Sequence, residues 1–132
     1  MTIGVLLLAL VTVESGGYFL TRVVRNHVAA NQLQQSFFRA GHAHAAVLLV
    51  LSIAILSVMD QTDLPVLWDY AARYLVPFAA ILMPAGFFLS VLGKDPVTPN
   101  GLIILLWLGA VSLTLGLVAA GVGILGAGLA AV

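Results

Sequence analysis

Glu14, His42 and His44 are the side chains with most chemistry to offer, because each is ionisable and each falls in or at the edge of a long apolar run. A carboxyl group near the middle of a lipid span costs several kcal/mol unless it is paired, protonated or hydrated, so Glu14 is expected to turn away from lipid. It begins a stripe at helical spacing, Glu14, Tyr18, Arg22 and Arg25 with Thr21 alongside, that runs from mid-span to the basic edge. Gly16 and Gly17 follow it directly and leave room for a neighbouring helix. A carboxyl and an imidazole meeting at such a place would bind or relay a proton or a small ion.

The histidines stand in the run Arg39-Ala40-Gly41-His42-Ala43-His44-Ala45-Ala46, among small residues. At about 1.5 Å rise per residue, His42 lies about 4.5 Å and His44 about 7.5 Å inside Arg39, while Glu14 lies about 12 Å inside Arg22. Offsets of about one turn are within side-chain reach, and Ser112 and Pro84 fall near the same level as Glu14. Positions 42 and 44 point roughly 200° apart on a regular helix, so they cannot chelate one ion together. One of them is expected to meet Glu14 and the other to face elsewhere. His27 lies past the first span on the same side, where it could join His42 or His44 in a metal site. Zinc wants about four ligands, and a bis-histidine haem wants two facing imidazoles. Three uses therefore compete for the histidines: a bond to a backbone carbonyl, a proton or ion site, and a metal or haem site.

The elements that position these groups follow from composition. The 132 residues are 62% hydrophobic and 8% charged, against roughly 25% charged in a soluble domain. Apolar runs at about 3–25, 38–59, 71–93 and 101–131 are each long enough to cross a bilayer. They predict an all-α, integral membrane four-helix bundle forming a single transmembrane domain, antiparallel because the connections are short. The first connector, Asn26 to Ser36, is rich in Gln and Asn, with Val28, Leu33 and Phe37 spaced to allow an interfacial helical extension. The second holds Asp60 and Asp63 and reads as a solvated acidic loop reaching Tyr70; the third, Lys94 to Gly101, is a turn on composition.

Arg22, Arg25, Arg39 and Lys94 flank one side and Arg73 the other. The positive-inside rule makes the first side cytoplasmic and puts both termini outside, in the inner or plasma membrane. Trp68, Tyr70 and Tyr74 then occupy an outer aromatic belt. Pro77 and Pro84 bend or loosen the third span. In the fourth, Gly116-x3-Ala120 and Ala119-x3-Gly123-x3-Ala127 match the small-xxx-small pattern of close helix contact in lipid, made with the chain's own helices, with a second copy, or with another membrane subunit.

Phe37-Phe38-Arg39-Ala40-Gly41-His42-Ala43-His44-Ala45, together with Glu14-Ser15-Gly16-Gly17, resembles small bacterial four-span membrane proteins without an assigned role. The resemblance implies fold and location alone. Zero formal net charge with no basic run excludes nucleic acid as an expected partner. The absence of cysteine excludes thiolate metal sites and cysteine nucleophiles, and no phosphate loop or nucleophile elbow is present. The expected function is non-enzymatic: a transporter, channel or sensor built on Glu14 with His42 or His44, and with Tyr18 and Ser112 nearby. An accessory subunit docking through the fourth helix, and a haem- or quinone-linked redox subunit, are the alternatives.

Overall fold

Four long helices make up the chain in its computed structural model, which describes residues 2–130. They are α1 (Thr2–Val24), α2 (Gln32–Met59), α3 (Val66–Leu89) and α4 (Ile104–Ala130), the last preceded by a single 3-10 turn, Gly101–Ile103. All four are long and apolar enough to cross a membrane. At about 1.5 Å per residue, even the 23 residues of α1 exceed the roughly 30 Å of a hydrocarbon core. The chain is a membrane protein built as a helix bundle, with no strand among the described residues. Position 131 of the fourth expected span lies outside them.

Local chemistry sets the helix ends. α1 stops where Asn26 adopts a left-handed conformation, φ 57°. His27 N–H then reaches back to Arg22 O at 2.9 Å and Asn26 N–H to Val23 O at 3.1 Å, a Schellman closure with Asn in the place glycine usually takes. α2 begins at Gln32, well before the apolar run at 38, because Asn31 and Gln34 form a reciprocal capping box. Gln34 N–H donates to Asn31 Oδ1 at 2.9 Å, and Asn31 N–H donates to Gln34 Oε1 at 3.1 Å. α3 begins at Val66, directly after Pro65, so Trp68, Asp69 and Tyr70 belong to its first turns rather than to a loop.

Helices adjacent in sequence are the ones that pack along their lengths: α1 on α2, α2 on α3, and α3 on α4. On α4, Gly86 of α3 lies against Leu106, Gly109 against Met83, and Gly116 against Val76, while Gly123 lies against Leu64 just before α3. The α4 glycines at this seam recur every seven residues, and Ser112, Ala119 and Ala120 are buried beside them. Ala127 is half-buried. On the α2 side, Gly41 sits under Phe87 and Phe88. A mid-span core gathers Leu6, Leu48, Leu49, Leu56, Ala80 and Met83. Met59, Ala72, Ala119 and Ala120 fill the acidic end, and Val23, Phe38 and Val91 the basic end.

A polar clamp closes the basic end. Asn31 Nδ2 donates to Asp95 Oδ1 at 2.8 Å and to Pro96 O at 2.7 Å. Gln34, buried, donates from Nε2 to Val91 O at 3.0 Å and Gly93 O at 3.1 Å. The connector reaches these partners by a sharp bend, with Gly93 at φ 123° and Asp95 at φ 53°; the first of these values is one that only glycine adopts without strain.

Candidate functional site

The two histidines of α2 are presented to different helices, as their separation of roughly 200° requires. His42 lies on the α1 side. A Cβ built on Gly16 would stand 3.3 Å from His42 Nδ1, and one on Gly17 would stand 3.6 Å from Cε1 and Nε2. The ring is thus seated against bare backbone, in a notch that exists because α1 carries two glycines there. It makes no hydrogen bond among the described residues and is half-buried. His44 faces α3, its ring 4.9 Å from that of Phe87. Its Nδ1 lies 2.8 Å from Ala40 O. A carbonyl oxygen can only accept, so the neutral ring carries its proton on Nδ1 and leaves the Nε2 lone pair bare.

Glu14 lies exposed on the outward face of α1. Sequence reasoning turned this carboxyl away from lipid and toward a histidine; the structure instead leaves it outward, with no hydrogen bond or ion pair to it among the described residues. The nearest link between the groups is the notch itself, since Gly16 and Gly17, which touch His42, are within one helical turn of Glu14. Tyr18, 69% exposed, shares the outward face. Neighbouring hydroxyls serve their own helix: Ser15 donates to Thr12 O and Thr21 to Tyr18 O, each at 2.6 Å.

The remaining candidates lie apart from this pair. Ser112 is buried on the α3–α4 seam, where its hydroxyl donates to Leu75 O at 2.8 Å. His27 is exposed beyond the end of α1. Among the described residues no three His, Cys, Asp or Glu side chains are grouped to hold a metal ion. The two facing imidazoles that a bis-histidine haem wants are not formed by His42 and His44, which address α1 and α3 respectively.

A charged cluster that sequence reasoning missed stands at the acidic end. Arg73 donates from Nε to Asp69 Oδ1 at 2.7 Å and from Nη2 to Met59 O at 2.9 Å, and it also pairs through Nη1 with Asp60. It borders a cleft of about 280 Å³ with Thr2, Ile3, Leu56, Asp60 and Tyr74. The available signal was the Asp69–Arg73 spacing of four residues, which puts the two on one helix face. Comparison of the chain with models of known protein families, with curated proteins and with solved structures gave no match.

Proposed function

We propose that the chain is a non-enzymatic, multi-pass protein of the bacterial inner membrane that binds or relays a proton or small ion through Glu14 and His42. The observation that carries this reading is the position of Glu14 on α1 close in sequence to Gly16 and Gly17, the two glycines that seat His42. A carboxyl without a partner among the described residues lies within one helical turn of the glycine notch that seats an imidazole likewise without one. In this reading the bundle is antiparallel, which the pairing of Gly86 with Leu106 and Gly116 with Val76 supports. The basic ends carrying Arg22, Arg25, Arg39 and Lys94 face the cytoplasm and both termini lie outside.

The test is proton or cation flux into liposomes containing the purified chain after a pH step. Glu14→Gln abolishes the pH-dependent signal and His42→Phe weakens it. A flux in Glu14→Gln equal to that of the unaltered chain rejects the reading. A second reading, an accessory subunit of a larger membrane complex, is favoured by the far end of α4, where Gly121, Gly126 and Gly128 have nothing within 4 Å of an added Cβ. A stoichiometric foreign protein retained through purification in mild detergent supports that reading.

A further inference from the structure

We propose that the cleft between the first and third connectors, at the basic end of the bundle, holds a phosphoethanolamine lipid headgroup, with the Lys94 ammonium on its phosphate and the Asp95 carboxylate on its primary ammonium.

The cleft has a volume of about 580 Å³, inside the roughly 300–1,000 Å³ of small-molecule sites. Val28, Ala29 and Ala30 line it from the first connector, and Gly93, Lys94 and Asp95 from the third. Asn31 and Gln34 line it too, and their side chains are what bond the two connectors together. Gln34 is buried, and its amide nitrogen is committed to Val91 O and Gly93 O. The two walls are therefore tied to each other within the chain itself. Among the described residues the only positive φ angles belong to Asn26, Gly93 and Asp95, and all three line this cleft. The turn at Asn26 ends α1, and the bend at Gly93 and Asp95 sets Lys94 on the cleft wall. Backbone conformations of this kind persist where the surrounding contacts over-determine them, and they gather at ligand clamps.

Place and charge identify the occupant. The cleft residues follow directly on the ends of α1 at Val24 and of α3 at Leu89, which puts them in the headgroup layer, roughly 5–8 Å deep on each side of the hydrocarbon core. Lys94 is exposed there and makes no ion pair among the described residues. The amides of Val28, Ala29 and Ala30 donate to no backbone carbonyl. An ammonium beside free N–H donors suits a phosphate, the group that phospholipids present at this level. Asp95 supplies the selectivity. Its Oδ1 accepts from Asn31 Nδ2, and its Oδ2 is free among the described residues to accept from an ammonium. An anionic headgroup without an amine brings a second negative charge to that carboxylate, and a quaternary ammonium has no hydrogen to donate. A zwitterionic headgroup ending in a primary amine answers Lys94 and Asp95 at once.

The proposal rests on membrane insertion and not on ion relay, so a Glu14→Gln chain that loses flux is expected to bind lipid unchanged. The purified chain is incubated in detergent with an equimolar mixture of dioleoyl phosphatidylethanolamine, phosphatidylglycerol and phosphatidylcholine, and the lipids it retains are counted by native mass spectrometry. Phosphatidylethanolamine is expected to be enriched about threefold over each of the others, the scale of one exposed ion pair. Asp95→Asn, which keeps an acceptor for Asn31, levels that enrichment while phospholipid is still retained. Lys94→Gln lowers the retention of all the lipids. Equal retention by the unaltered chain, a preference for phosphatidylglycerol, or an enrichment that Asp95→Asn leaves intact overturns the proposal. Free phosphate is the other source of the same chemistry. A thermal midpoint raised by inorganic phosphate as far as by added phosphatidylethanolamine assigns the cleft to a free anion and overturns the headgroup.

Discussion

Gly16 and Gly17 are adjacent, yet the two play different parts under the His42 ring. An added Cβ at Gly17 meets the ring at 3.6 Å, ordinary van der Waals contact, whereas at Gly16 it meets Nδ1 at 3.3 Å. Alanine is also about 1 kcal/mol the better helix former. Gly17→Ala is therefore expected to keep or raise the thermal midpoint in detergent. Gly16→Leu fills the notch, displaces the imidazole and costs about 1–3 kcal/mol. Unfolding curves of the two variants, with the His42 ring followed by NMR, check the pair of outcomes. The sequence marked Glu14 and the histidines as the ionisable residues of the spans and Gly16 and Gly17 as room for a neighbouring helix, and helical geometry separated His42 from His44. The direction of Glu14 was not legible. Around α1 the buried Leu6 and half-buried Leu10 are no more apolar than the exposed Leu7 and Leu8, and lipid removes the contrast between inside and outside that periodicity reads in water.

The α3–α4 pair shows the same limit at the level of whole helices. Glycine is so frequent in the fourth span that composition identifies a close-packing helix without saying which glycines do the packing. The structure separates them: Gly109 and Gly116 meet α3 and Gly123 meets Leu64, two residues before it, while Gly121, Gly126 and Gly128 meet nothing within 4 Å. At Gly86 a Cβ would collide with the backbone of Leu106, which cannot rotate aside. Gly86→Ala is expected to separate the helices and cost about 1–3 kcal/mol, whereas Gly126→Ala is expected to gain up to about 1 kcal/mol from helix propensity. Equilibrium unfolding in mixed micelles decides it, and equal effects at the two positions would refute the assignment. The start of α2 precedes its apolar run, within the connector where a helical extension was allowed, for a different reason. Span reading follows hydropathy, and the first turns of α2 are held by amide hydrogen bonds rather than by apolar character.

Polar ties fasten both ends of the bundle, and only the Asp69–Arg73 part of them shows in the sequence as a local pattern. At the acidic end Arg73 draws Asp60 and Asp69 together, so charges that look like a solvated loop brace the junction of α2 and α3. At the basic end Asn31 caps α2 and also holds Asp95 and Pro96. Asn31→Ala removes the cap and both bonds, and is expected to cost about 2 kcal/mol in the unfolding of the chain. Asp95→Ala removes one exposed bond and should cost less than half as much; a reversed order would show that the cap is not the main contribution. Composition could not foretell this tie, because its partners come from two turns that only the assembled helices bring together. The clamp also bears on how the protein is made. Synthesis runs from the N-terminus and outlasts the formation of a helical hairpin by orders of magnitude. Asn31 therefore leaves the ribosome long before Asp95 exists to receive it, and α1 and α2 enter the bilayer as a hairpin whose basic end is unlatched. The latch closes fully only as the turn toward α4 emerges, so a chain stalled before Lys94 would hold three spans with the Gln34 bonds to Val91 and Gly93 but without the Asn31 bonds to Asp95 and Pro96.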